Sequence, residues 1–97
     1  MTYADSTERA ALIAGLRDMA DYLESNPEVP APIYTQVFTF PPGDDWWAMR
    51  ARIDATAVRL GVTAYGSAGG HYLAVRSFGP VEYRAVAIPR RRDNGSE

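Results

Sequence analysis

Two strand-like runs separated by a two-residue break limit the possible fold more than any other feature of the sequence. Residues 71–78 and 81–88 are rich in β-branched and aromatic side chains, with only Gly79 and Pro80 between them. Gly and Pro favour tight turns, so the sequence predicts an antiparallel hairpin of two long strands. Side chains alternate between the two faces of such a pair, so the register assigns every residue to one face.

The register predicted for this hairpin places Ser77 opposite Val81. One face is then nearly all apolar and should pack against helices; it carries His71, Leu73, Val75, Ser77, Val81, Tyr83, Ala85 and Ala87. The outer face carries Tyr72, Ala74, Arg76, Phe78, Glu82, Arg84, Val86 and Ile88. We therefore expect Leu73, Val75, Tyr83 and Ala85 to be buried, and Arg76, Glu82 and Arg84 to stay accessible.

The preceding chain predicts two helices and two more strands. Asp5 and Glu8 form a capping-box pattern at the start of a helix over residues 6–25, whose apolar stripe is Leu12, Leu16, Met19 and Leu23. After a Pro-rich connector, residues 33–40 read as a strand that could bury either side. Asp44 or Asp45 caps a second helix that runs to about Leu60 and ends at Gly61, and residues 62–66 form a short strand with Tyr65 on the outer face.

This order, α-β-α-β-β-β, predicts an α+β fold. We expect a two-layer sandwich in which one four-stranded mixed sheet carries two helices on one face, because that arrangement buries both helix stripes. The first strand, second helix and second strand could form a parallel crossover, and the last three strands an antiparallel meander. We expect residues 1–89 to form a single domain and residues 90–97 a disordered tail.

Composition excludes several kinds of site. The chain has no Cys and a single His, His71, so Cys-based metal centres, disulfides and His-cluster metal sites are excluded, and we expect no metal, cofactor or catalytic residues. All ten basic residues are Arg, but the net charge of −2 argues against a nucleic-acid partner. No signal-peptide pattern or membrane-spanning apolar run is present, so we expect a cytoplasmic protein without membrane contact.

The outer sheet face holds the candidate binding surface. Arg76, Glu82 and Arg84 with Tyr72 nearby resemble the groups of a small ribonuclease, a base and two cations for phosphate, but no general acid accompanies them. An exposed cross-strand ion pair explains the same residues. Trp46 and Trp47 cannot share one position on the second helix. Either one of them is exposed and could anchor a partner, or both are half-buried beneath the first helix or the Pro-rich connector.

Several stretches give the chain a family resemblance. They are residues 9–20, the segment Arg59-Leu60-Gly61-Val62-Thr63, and the segment Arg76-Ser77-Phe78-Gly79-Pro80-Val81-Glu82-Tyr83. In these the chain resembles small uncharacterised proteins of actinobacteria, their plasmids and their phages. The resemblance implies a mobile element or its host as the setting, and it implies no activity.

Three functions follow as hypotheses. The first is a non-enzymatic protein-binding domain, a phage or mobile-element product acting on a host protein. The second is a small ribonuclease or toxin-like enzyme using the Arg, Glu and Tyr side chains. The third is a homodimer formed through the outer sheet face. The candidate surface comprises Tyr65, Tyr72, Arg76, Glu82, Arg84 and Trp47.

Overall fold

A computed structural model describes residues 3–43 and 45–89 and has the predicted α+β element order. The helices are α1 (Ser6–Ser25) and α2 (Trp46–Leu60). The strands are β1 (Thr35–Thr39), β2 (Tyr65–Gly66), β3 (Tyr72–Phe78) and β4 (Val81–Ala87). The tail predicted for residues 90–97 lies outside the described residues. The two helices and the four-stranded mixed sheet confirm the predicted fold class.

The chain divides into two compact units. One, the helix unit, is Ala4–Ile33; the other, the sheet unit, comprises Met1–Tyr3 and Tyr34–Glu97. The prediction of one domain over residues 1–89 stays a prediction.

The helix unit is built around α1. Its N-terminus has the predicted capping box: Glu8 N–H donates to the Asp5 side chain at 2.8 Å, and Asp5 N–H donates to the Glu8 side chain at 2.9 Å. At the other end, Asn26 Nδ2 donates to the carbonyl of Tyr22 at 2.9 Å. Within this unit no residue of α1 is buried, and the expected burial of its apolar stripe against the sheet stays a prediction. Periodicity shows which side of a helix is apolar and does not show what covers it.

The sheet unit contains the four strands in the order β1-β4-β3-β2. Strands β2, β3 and β4 form the predicted antiparallel meander, and β1 runs parallel to β4. Thr35 N–H donates to the carbonyl of Pro80 at 3.0 Å, which joins the start of β1 to the β3–β4 turn. Strands β1 and β2 lie at opposite edges, so α2 and its flanking loops connect the two edges of the sheet.

Helix α2 lies on one face of this sheet. Asp45 caps its N-terminus by accepting from Trp47 N–H at 3.1 Å, and Gly61 ends it with φ +71°, a conformation that Gly adopts at low cost. The core is small and consists of Met49, Ile53 and Ala57 from α2 with Ala74, Ala85 and Ala87 from the sheet. Three alanines beneath the helix let its backbone approach the strands closely.

The β3–β4 register differs from the predicted one by a single residue. Phe78 pairs with Val81, and Ala74 pairs with Ala85, because the turn contains only two residues and Gly79 adopts φ +60°. The faces predicted for β4 are confirmed. Those predicted for β3 are wrong, since a one-residue slip moves all its side chains to the opposite face.

The predicted burial is therefore confirmed for some residues and wrong for others. Ala85 is buried beneath α2, and Tyr83 is half-buried there. Leu73 is buried and Val75 half-buried on the other face, away from α2. Of the residues predicted to be accessible, Arg76 is exposed, while Glu82 and Arg84 are half-buried.

The observed register predicts how a substitution at Ala74 changes the free energy of unfolding. Ala74 is fully buried beneath α2, so Ala74→Asp introduces an unpaired carboxyl into an apolar core and should cost at least about 3 kcal/mol of unfolding free energy. Ala51→Asp, at an exposed position of α2, is the matched control and should cost at most about 1 kcal/mol. Urea unfolding followed by circular dichroism measures both. Equal costs for the two variants would support the register that puts Ala74 outside.

Candidate binding surface

The sheet face opposite α2 contains a groove of about 390 Å³. Strand pairing brings its residues together, because Phe38 lies beside Arg84, Val86 beside Leu73, and Leu73 beside Tyr65. We call this the sheet-face groove, and it is lined by Phe38, Phe40, Tyr65, Ser67, His71, Leu73, Arg84, Val86 and Ile88.

Large apolar side chains form the floor and walls of the sheet-face groove. Leu73 and Val86 make the floor and are only 6% and 4% exposed. Phe38, Tyr65 and Ile88 are each close to half exposed and stand around that floor. A sheet face turned to solvent normally carries polar side chains, so this composition is typical of a surface that binds something apolar.

Strand β1 supplies the aromatic side of the groove. The sequence left open which of its faces is buried, and the pairing of Gln36 with Glu82 and of Phe38 with Arg84 places Gln36 and Phe38 on the groove face. The rings of Phe38 and Phe40 are nearly parallel, with centroids 6.1 Å apart. In this orientation β1 adds the two Phe rings to the groove face.

A polar corner lies next to the aromatic side. Gln36 Nε2 donates to Glu82 Oε1 at 3.2 Å, and the same carboxylate oxygen lies 3.2 Å from Arg84 Nε. This second contact is an ion pair without hydrogen-bond geometry, so the buried Arg84 Nε lacks a hydrogen-bond acceptor in the described part of the chain. A buried donor without an acceptor is costly. The Arg84 side chain is still 27% exposed, so the rest of its guanidinium is accessible to an acceptor that enters the groove.

His71 lies at the edge of the groove. The loop before β3 holds its backbone, since His71 N–H donates to Ser67 Oγ at 3.2 Å and Ser67 N–H donates to the carbonyl of His71 at 2.8 Å. The predicted register had placed His71 on the helix-facing side. The groove therefore has an imidazole at one edge and a guanidinium at another.

Arg76 is not part of this surface, because the register places it on the α2 side. Its guanidinium donates to the carbonyl of Leu60 at 2.8 Å and lies 5.3 Å from the ring centroid of Phe78. The last carbonyls of a helix have no partner within the helix and carry partial negative charge, so Arg76 caps the C-terminus of α2. The prediction that Arg76 shares a face with Glu82 and Arg84 is wrong.

Tyr72 also lies on the α2 side. Its hydroxyl donates to Asp54 Oδ1 at 2.5 Å, and the Arg50 guanidinium lies 4.2 Å from its ring centroid. These contacts join β3 to α2, so the four residues proposed for a ribonuclease site are divided between two faces. Tyr72 was predicted on the outer face, and that placement is wrong for the same one-residue reason.

The remaining candidate residues lie where the sequence placed them. Tyr65 lines the groove, and Glu82 and Arg84 form its polar corner. Trp47 is the exposed member of the Trp pair at 69%, while Trp46 packs against the core. Trp47 lies on α2, on the opposite side of the sheet from the groove, with the Arg50 guanidinium 5.5 Å from its ring centroid.

The sequence interpretation missed Leu73 as a groove residue and did not recognise the groove itself. The signal was present in Gly79-Pro80. A two-residue turn with Gly first is a favoured hairpin connection, and it pairs Phe78 with Val81. That pairing puts Leu73 on the same face as Val86 and Ile88.

Within residues 3–43 and 45–89, no group of three or more His, Asp or Glu side chains is arranged to hold a metal ion. No helix in this part of the chain is long and apolar enough to cross a membrane. Comparison of the chain with protein-family models, with curated proteins and with solved structures gave no match.

The cap on α2 gives a prediction for Arg76. Arg76→Met keeps an unbranched side chain but removes the guanidinium that binds the Leu60 carbonyl and lies over Phe78, so it should lower the unfolding free energy by about 0.5–2 kcal/mol. Arg17→Met is the control on an exposed helix position and should change stability by at most about 0.5 kcal/mol. Denaturant melts compare them. If Arg76→Met is as silent as the control, Arg76 does not stabilise the end of α2.

Proposed function

We propose that this protein is a non-enzymatic binding domain whose sheet-face groove takes up apolar side chains of a partner protein. The observation that carries the proposal is the groove itself, with Phe38, Tyr65 and Ile88 half exposed around a floor of Leu73 and Val86. Aromatic and large aliphatic side chains in a concave patch are the usual anchors of protein interfaces.

The shape of the groove favours a side chain inserted from a partner over a flat contact. About 390 Å³ is room for one or two large apolar side chains. Nine residues surround it, from all four strands, the β2–β3 loop and the positions just after β1 and β4. The floor is rigid because Leu73 and Val86 belong to the two longest strands, which pair with each other. A preformed pocket loses little conformational entropy when it binds.

The polar corner adds a chemical requirement on the partner. Arg84 Nε has no hydrogen-bond acceptor, and its guanidinium is held beside the groove by the Glu82 carboxylate. The Arg84 side chain is 27% exposed, so a partner segment that brings an oxygen, either a backbone carbonyl or a carboxylate, next to its apolar anchor would accept a hydrogen bond from the exposed part of this guanidinium. The proposed ligand is therefore an apolar side chain flanked by a hydrogen-bond acceptor.

The class of partner is also part of the proposal. The resemblance to small proteins of actinobacteria, their plasmids and their phages suggests a host protein as the partner. We further propose that the encounter occurs in the cytoplasm, in keeping with a chain that has no Cys.

Selection of binding peptides tests this proposal without knowledge of the partner. Random peptides displayed on phage and selected on the immobilised protein should converge on a large apolar residue near an acidic one. Phe38→Glu and Arg84→Ala should each weaken the selected peptides by at least about tenfold, the loss of an interface anchor. Val58→Glu, on an exposed part of α2, is the control and should bind as the unchanged protein does.

Two outcomes would contradict the groove as the binding site. Selected peptides that bind Phe38→Glu as tightly as the unchanged protein would place binding elsewhere, and loss of binding in Trp47→Ala alone would assign it to α2. If Phe38→Glu instead converts a dimer of the protein into a monomer, the groove is occupied by a second copy.

The ribonuclease hypothesis requires a different test from the one its sequence pattern suggests. Arg76→Ala removes the cap of α2, so lost activity in that variant would not identify a catalytic group. Incubation of the protein with RNA, with and without ribosomes, should give no cleavage if the binding proposal is correct. Cleavage that is abolished by Glu82→Gln or Arg84→Ala in a stable protein would replace the binding proposal by an enzymatic one.

A further inference from the structure

Helix α1 presents an apolar stripe along its length. The stripe consists of Leu12, Leu16, Met19 and Leu23, and the first three are 52%, 41% and 54% exposed. Ile13 and Tyr22 flank it at 40% and 59% exposed. The spacing of four, three and four residues is that of the contact seam between two paired helices. Helices in proteins take most of their stability from the packing of an amphipathic face, so α1 gains stability when such a seam is covered.

The stripe is self-complementary about its own centre. An antiparallel second copy related by a twofold axis midway between Leu16 and Met19 brings Leu16 to the partner's Met19 and Leu12 to the partner's Leu23. Each contact occurs twice, as symmetry requires of a dimer whose copies use the same surface. The four large side chains then form two kinds of contact layer, Leu16 with the partner's Met19 and Leu12 with the partner's Leu23.

The flanks of the stripe match in size under the same operation. Ile13 and Ala20 lie on one side of the stripe, so Ile13 meets the partner's Ala20. Gly15 and Tyr22 lie on the other side, so Tyr22 meets the partner's Gly15. An added Cβ at Gly15 has no neighbour within 4 Å, so there is open space above this glycine for a ring.

Charge also fits the antiparallel arrangement. Arg9 lies on the Ile13 side near the start of α1, and Glu24 lies on that side near its end. With 1.5 Å of rise per residue, the twofold axis places Arg9 within about 3 Å of the height of the partner's Glu24. Such an antiparallel pair would therefore have two symmetric ion pairs at the rim of its apolar seam.

We infer that the protein self-associates through α1, which pairs antiparallel with the α1 of a second copy. This surface is separate from the sheet-face groove, and the inference does not rest on the proposed function. The occupant of the α1 stripe is a second copy because the twofold operation brings the apolar stripe, the residues beside it and the charges at its rim each to a complementary residue of the second copy.

Solution mass tests the pairing directly. The full chain at up to about 0.5 mM should show twice its mass of 10.7 kDa by light scattering, with dissociation on dilution. Leu16→Glu places a charge in the central layer and should raise the dissociation constant at least about tenfold. Val58→Glu is the control at an exposed apolar position of α2 and should leave the dimer intact. Circular dichroism verifies that both variants remain folded.

Charge reversal and cysteine pairing establish the orientation. Arg9→Glu should weaken the dimer, and Arg9→Glu combined with Glu24→Arg should restore it. The chain has no Cys, so a mixture of the Leu12→Cys and Leu23→Cys proteins should form a disulfide between the two variants on oxidation. Leu12→Cys alone should not cross-link, because its two copies lie about 16 Å apart along the helices, beyond the reach of about 7 Å between disulfide-linked Cα atoms.

Three results would overturn the inference. One is a monomer at the highest concentration. Another is a dimer that Leu16→Glu leaves unchanged and Phe38→Glu disrupts, which assigns self-association to the sheet-face groove. Efficient cross-linking of Leu12→Cys alone would replace the antiparallel pair by a parallel one.

Discussion

The two-residue turn at Gly79-Pro80 is the constraint on which the rest of the sheet depends. With Gly79 at φ +60°, Phe78 is held opposite Val81, and every pair along β3 and β4 follows from that contact. The turn thereby sends Ala74 beneath α2 and Leu73 to the opposite face. One more residue in the turn would exchange these two side chains, and with them the core and the groove.

The division of side chains between the two faces explains why a groove exists. Beneath α2 the sheet offers mainly alanines, which let the helix approach but bury little apolar area, so the core remains small. The bulkier Leu73 and Val86 are on the other face, where Phe38, Tyr65 and Ile88 surround them and are themselves about half exposed. The sheet thus carries much of its large apolar surface on the side away from its helix, and that surface carries the proposed function.

The charged residues divide in the same way between structural and available roles. Arg76 and Arg50 join α2 to the strands. Arg76 does so through the Leu60 carbonyl, and Arg50 through the Tyr72 ring. Arg84 is instead paired with Glu82 beside the groove and has a buried donor without an acceptor. The basic residues are all Arg, and at some positions the Arg side chain caps a helix or stacks on an aromatic ring. Only the contacts of each Arg distinguish these structural roles from a role in binding.

The sequence by itself determined the secondary structure, including the capping box of α1, the Gly61 end of α2 and the β2–β3–β4 meander, because these depend on local propensity and short spacings. The sequence also excluded disulfides and Cys-based metal centres, because the chain has no Cys. Tertiary structure alone decided that β1 joins β4 with Phe38 on the groove face, since β1 is apolar on both sides. The assignment of the β3 side chains to the two sheet faces is intermediate between what the sequence determined and what tertiary structure decided. The turn that fixes them is local, but the difference between a two-residue and a three-residue turn reverses the faces of a whole strand.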